Sequence, residues 1–222
     1  SKMFVHPADL AASTVEATRL GVDLDLHGVH WREIRDRIFD RIDPMAARGR
    51  GHRQRSDNVT VFDARARFVG PRELDVGAAD TITADRLVIA AGSRPVVPDL
   101  DGLTSVDYHT SDTVMRLPEL PRSMIIIGGG YISAEFAHIF SAFGTSVTVL
   151  NRSEVLLRKE DVDVAKRFTD LLGRRVDVRL EASVEFIEPT PEGRVRVHFN
   201  DVKGSERLEA EVLLIATGRA PN

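Results

Sequence analysis

Met124-Ile125-Ile126-Ile127-Gly128-Gly129-Gly130-Tyr131-Ile132-Ser133 is the stretch on which the fold turns. Four apolar residues without a charge read as a buried strand, and three glycines end it. Residues 131–143 then carry apolar side chains at helical spacing until Gly144 stops them. Strand, glycine turn and helix in that order have a specific use. Gly128 permits the tight turn, and Gly130 leaves no side chain where a pyrophosphate must approach the main chain. A small residue at the third position, here Ser133, lets the helix pack closely on the strand. The helix N-terminus offers unpaired N–H groups and a partial positive charge to phosphates. Another strand-like run at residues 146–150 supplies the context that a bare glycine pattern lacks.

The end of that second strand decides which dinucleotide is expected. Units that bind NADH usually place Asp or Glu there to hold the ribose 2′-hydroxyl. This chain has Leu150-Asn151-Arg152-Ser153, and Arg158 a little further on. An acid would repel a 2′-phosphate, whereas a guanidinium holds it with two parallel charge-assisted bonds. Asn151 in place of the acid, with Arg152 and Arg158 placed to bracket the phosphate, points to NADPH. The competing reading makes both arginines solvated surface residues, with Glu154 pairing Arg158. Glu135, early in the helix, is partly explained as an acid favoured by the helix dipole.

Working outward, residues 162–172 read as a further helix, and residues 184–187, 195–199 and 212–216 as strands. Upstream, residues 7–20 and 31–42 have helical spacing, the first ending at Gly21 and the second near Asp43-Pro44. Residues 59–62, 67–69, 73–76 and 81–83 are short strand-like runs, and residues 87–91 fit a buried strand. Leu87-Val88-Ile89-Ala90-Ala91-Gly92 is echoed by Leu213-Leu214-Ile215-Ala216-Thr217-Gly218, each followed by Arg and Pro. A repeat at so long an interval suggests two related domains. The second copy is preceded by a glycine-rich strand-turn-helix and the first is not, so its counterpart is expected upstream of Ser1.

Composition narrows the function classes. A net charge of −4 gives no hint of a nucleic-acid surface, and no apolar run approaches the length of a membrane span. There is no cysteine, which excludes thiol catalysis and thiolate metal sites within these residues. The seven histidines have neither metal-ligand spacing nor a nucleophile partner, so no metal site is expected. The arginine-rich stretch 48–55 reads as a solvated loop or helix end. A cytoplasmic protein is the expectation.

Together, Ser1-Lys2-Met3-Phe4-Val5, Arg41-Ile42-Asp43-Pro44, Ala90-Ala91-Gly92-Ser93-Arg94-Pro95, Asp107-Tyr108-His109-Thr110-Ser111-Asp112, residues 128–135 and residues 216–222 resemble the pyridine nucleotide–disulfide oxidoreductases, the glutathione reductase group. Lys2–Val5, Arg41–Pro44 and residues 107–115 look most like the actinobacterial mycothione reductases. The resemblance implies that Ser1-Lys2 is the tail of the redox motif, so that the chain begins just past the second of two cysteines. Lys2 then resembles the lysine near the flavin that pairs with the helix glutamate, Glu135. Tyr131 resembles the tyrosine that covers the flavin until NADPH displaces it. Arg152 and Arg158 fall on the 2′-phosphate arginines, with Ser153 at a variable position between them. Gly128, Gly129, Gly130, Ile132, Gly218 and Arg219 fall on dinucleotide positions, and Ala66, Ala91 and Gly92 on positions lining FAD.

The expected architecture is α/β, with Rossmann-like doubly wound dinucleotide-binding domains and inserted antiparallel strands. Residues 1–110 would be a partial FAD-binding domain and residues 111–222 the NADP-binding domain. The parent would be a homodimeric FAD-dependent reductase of a small-molecule disulfide such as mycothiol disulfide, and this stretch alone would be inactive and uncertain to retain FAD. A dihydrolipoamide dehydrogenase, a mercuric reductase or a flavin transhydrogenase fits the same residues. So does a non-catalytic NADP-binding module.

Overall fold

The computed structural model describes residues 1–77 and 80–222. In chain order the elements are α1 (Lys2–Arg19), α2 (Trp31–Gln54), β1 (Arg67–Gly70), β2 (Glu73–Asp75), β3 (Thr81–Thr83), β4 (Ser93–Pro95), β5 (Ser123–Ile127), α3 (Tyr131–Ala142), β6 (Ser146–Leu150), α4 (Val162–Leu172), β7 (Asp177–Arg179), β8 (Ser183–Pro189), β9 (Val195–Asp201), β10 (Gly204–Ala210), β11 (Val212–Ile215) and β12 (Arg219–Pro221). They fall into two compact units. One comprises Ser1–Asp36 with Ser93–Pro221, the other Arg37–Gly92 with Asn222.

The larger unit is built on a parallel sheet of order β11-β5-β6-β7. The four residues of β11 and the last four of β5 are all buried, as expected of strands covered on both faces. α3 connects β5 to β6, and α4 lies between β6 and β7. Because β6 and β7 lie to one side of β5 and β11 to the other, the winding reverses at β5. Such sheets take ligands at the carboxyl ends of the strands flanking that reversal. His109 extends the sheet beyond β11, donating its N–H to Leu213 O at 2.8 Å and accepting from Ile215 N at 2.8 Å.

Two cores hold this unit together. Ile125, Ile127, Leu213 and Ile215 pack with Ile187, Val197 and Phe199 of the antiparallel meander β8-β9-β10. Met124 and Ile126 fall on the opposite face by the strand's period of two, where α3 packs. There α1 lies along α3, and Trp31 stacks at 5.4 Å from Phe4 and 5.6 Å from Phe140. The Trp31 indole donates to Leu117 O at 2.9 Å, so its polar edge is satisfied while its rings are buried. Truncating a ring such as Phe140 costs about 3–5 kcal/mol.

The echo found in the sequence has a direct counterpart here. The segment after each copy pairs with the other, β12 against β4, with Arg219 opposite Pro95 and Pro221 opposite Ser93. Val96 N donates to Gly218 O at 2.9 Å and extends the pairing.

The smaller unit holds the rest of α2 and the antiparallel sheet β1-β2-β3. Within it, Arg50 pairs with Asp63.

Four expectations need correction. Residues 87–91 are not a strand, and Val88 and Ile89 are 90% and 76% exposed. An apolar run is held as strand only when a neighbour takes its N–H and C=O groups. β11 has β5 and His109 for this; no strand among the described residues pairs with residues 87–91. Residues 59–62 are likewise exposed and irregular. α2 does not stop at Pro44 but continues to Gln54, because proline forfeits one helical bond and the alanines and arginines after it favour helix. α1 begins at Lys2, five residues before Pro7.

Candidate dinucleotide site

The three glycines after β5 differ in their surroundings. Gly128 has φ +124°, where side chains are strained, and a Cβ there would lie 2.4 Å from Ala216 O. It therefore locks the end of β5 against the end of β11. A Cβ on Gly129 would lie 2.3 Å from the Asn151 side-chain oxygen. Gly130 is the exception. Its φ of −89° and ψ of −175° suit any residue, and an added Cβ would meet nothing within 4 Å. The position is exposed, and the open space beside it leaves the main chain accessible. No side chain caps the first turn of α3, which begins at the next residue. Open space, an uncapped helix N-terminus and the reversal of the sheet coincide, which is the arrangement a pyrophosphate needs.

Ile132 is buried, so what it can offer a ligand is its main-chain N–H. Ser133 is also buried, and its hydroxyl has no partner among the described residues. Tyr131 opens the helix with its side chain 68% exposed.

The segment after β6 is pinned at several points. The Asn151 amide donates to Ser153 O at 2.8 Å and Val155 O at 2.9 Å. Leu156 N donates to Thr169 Oγ1 at 2.9 Å, and that hydroxyl donates to Ala165 O. Leu157, at φ +54°, donates its N–H to Gly129 O at 2.7 Å. Arg152 and Arg158 are exposed, and neither has an ion pair or hydrogen bond among the described residues. Glu154 in particular does not pair with Arg158. Ser153 is half-buried, and its carbonyl accepts from Asn151 and from Glu181 N.

A family description, pyridine nucleotide–disulphide oxidoreductase, matches residues 15–222. The chain belongs to this family. It is 40% identical to mycothione reductase of Mycobacterium tuberculosis over 228 residues, covering 100% of this chain and 49% of that protein. It is 36% identical to glutathione reductase of Burkholderia cepacia over 166 residues, 74% of this chain and 35% of that one. The HOCl-induced flavoprotein disulfide reductase RclA of Escherichia coli superposes with a TM-score of 0.79 at 30% identity, covering 100% of this chain and 46% of the other. The chain thus spans about half the length of the curated mycothione reductase it matches.

Gly218 has φ +143° and open space around it. Arg219 is committed to protein acceptors: Ser93 Oγ at 2.9 Å, Ser111 Oγ at 2.9 Å, Asp112 Oδ1 at 3.0 Å and the Ser93 carbonyl. Lys2 is exposed in the first turn of α1 and Glu135 half-buried on α3; among the described residues no ion pair joins them. A different pair bridges these helices, with His138 Nε2 2.7 Å from Asp9 Oδ1. In the smaller unit Ala66, Ala91 and Gly92 are exposed, and Asn222 donates to Ala91 O at 2.9 Å and to Gly92 O at 3.2 Å.

Sequence reasoning passed over Thr169 and the structural demand on Gly129. An asparagine at the usual position of an acid was the one available signal for the latter.

Proposed function

We propose that this chain is the dinucleotide-binding half of an NADPH-dependent flavoprotein disulfide reductase, with residues 111–222 holding NADP(H) and residues 1–110 contributing part of an FAD domain. The observation that carries the reading is Gly130, a glycine that neither its own backbone nor any neighbouring atom requires. The pyrophosphate would rest against Gly128, Gly129 and Gly130 and accept from the main chain at Ile132. Arg152 and Arg158, both unpaired, would hold the 2′-phosphate, with Ser153 between them. Gly218 would border the same crevice, and Arg219 would fix its rim through Ser93 and Asp112.

The resemblance assigns Ala66, Ala91 and Gly92 to the lining of FAD. All three are small and exposed, and a Cβ on Gly92 would meet only Asn222 Nδ2 at 3.9 Å, so they leave room for a flat ring. When bound, FAD supplies the two-electron chemistry that links the dinucleotide to a cysteine pair. Tyr131, exposed at the start of α3, would cover the nicotinamide position until NADPH displaces it. Glu135 and Lys2 would set the charge near the flavin.

For the whole protein, identity to mycothione reductase along the entire chain favours a mycothione-type disulfide as substrate. A cytoplasmic homodimer is the assembly proposed. Titration with NADPH and with NADH, with Arg152→Ala beside the wild type, tests the nucleotide. NADPH should bind more tightly, and the variant should lose about ten- to a hundredfold for NADPH only, as expected for charge-assisted bonds. Equal binding of the two nucleotides overturns the reading.

A further inference from the structure

We propose that Asn151 is the positioning residue behind the preference for the 2′-phosphorylated dinucleotide, acting by holding the loop that carries Arg152 and Arg158 and not by touching the ribose. The inference rests on the NADPH reading above. The position immediately after β6 is where an acid would reach the sugar. Here the side chain is turned inward. Asn151 is only 6% exposed, and both of its amide hydrogens have acceptors, Ser153 O and Val155 O. Its carboxamide oxygen lies against the Cα of Gly129, closely enough that no Cβ would fit between them. The side chain is therefore a wedge between the arginine loop and the glycine turn.

The chemistry of the wedge is specific to an amide. Two carbonyl oxygens converge on one nitrogen, which needs two donors on one atom. Aspartate has the same shape but presents acceptors only, and would set an anion against two carbonyls. At this position the usual acid would disorder the loop without contacting a ribose.

Two further contacts complete the arrangement. Leu157 N on Gly129 O and Leu156 N on Thr169 Oγ1 fix the far end of the loop, just before Arg158. The main chain between the two arginines is thus held at Ser153, Val155, Leu156 and Leu157. Guanidinium groups on a preset loop bind a phosphate dianion without the cost of ordering the chain first.

The test uses this chain with Asn151→Ala, Asn151→Asp and Thr169→Val, each titrated with NADPH and with NADH. Thr169→Val keeps the shape of the side chain but frees Leu156 N, loosening the same loop from its other end. NADPH affinity should fall about tenfold in Asn151→Ala and less in Thr169→Val, with NADH affinity unchanged within about twofold. Asn151→Asp should lose NADPH affinity and gain none for NADH. Adding Arg152→Ala to Asn151→Ala should cost much less than it does alone, because the arginine is already displaced. A gain of NADH affinity in Asn151→Asp overturns the inference, since the side chain would then reach the ribose. An equal loss for both nucleotides in Asn151→Ala also overturns it, as a merely structural role predicts that outcome. Should the wild type fail to prefer NADPH, the nucleotide reading falls and this inference with it. A wild-type preference left intact by all three variants sinks this inference alone.

Discussion

Replacing each of the three glycines after β5 by alanine separates folding from ligand binding. In Gly128→Ala a side chain is forced to φ +124° with its Cβ 2.4 Å from the Ala216 carbonyl oxygen. Backbone strain of about 1–3 kcal/mol and overpacking of about 1–3 kcal/mol apply together. At about 2–4 °C per kcal/mol for a chain of this size, the melting temperature should fall by roughly 4–24 °C. Gly129→Ala drives its Cβ into the Asn151 side chain at 2.3 Å and should destabilise for the same reason of overpacking. Gly130→Ala differs in kind. The backbone already suits alanine, so a gain of about 0.4–1 kcal/mol through the unfolded state offsets alanine's poorer performance as a helix N-cap. Its melting temperature should stay close to the wild type. Its NADPH affinity should nevertheless fall at least about tenfold, because the methyl group takes the place of the pyrophosphate. Thermal melts followed by calorimetric titration of the folded variants measure both quantities. A Gly130→Ala protein that melts as early as Gly128→Ala, or binds NADPH like the wild type, refutes the assignment of that open space.

Three further outcomes follow from particular contacts. Ser133→Ala removes a buried hydroxyl with no partner among the described residues and should raise stability by up to about 1 kcal/mol, read by denaturant melts; a loss of stability would show that the hydroxyl is bonded. Asp161 caps α4 by accepting from Asp163 N and Val164 N, so Asp161→Ala should cost about 1 kcal/mol in the same measurement. His109 has a pKa held below its ordinary 6.5 by burial, against the opposing charge of Asp107. The unfolded chain therefore takes up this proton first; stability is complete above about pH 6.5 and declines as pH falls toward the folded value. Melts across that range should slope less in His109→Gln, and an unchanged slope would exclude His109 as a source.

The larger unit was legible wherever one segment sufficed to decide its own state. The run 124–127, the helix that follows, the strand 146–150 and the helix 162–172 all lie where periodicity and glycine stops put them. What failed depended on a partner. Residues 87–91 have the composition of a strand, but composition cannot report whether a neighbour is there to bond them. Pro44 carries a stop signal that helix-forming neighbours override. At the candidate site the residue types were readable; the structure adds a positive φ and a close approach at Gly128 and open space at Gly130. Asn151 was read by what it lacks, a negative charge; its inward amide depends on where the carbonyls of residues 153 and 155 fall, which spacing does not encode.

The exposure of residues 87–91 has a consequence for the behaviour of the chain in solution. Five consecutive apolar residues without charge or proline have the composition from which cross-β stacks are assembled. With Val88 and Ile89 presented to solvent and no strand among the described residues beside them, the segment offers unpaired N–H and C=O groups to any strand that comes alongside. Arg86 precedes the segment and Arg94-Pro95 follow it, residue types that disfavour the spread of such stacking. A charge placed at Val88 should therefore reduce self-association of this chain at high concentration, as light scattering would read.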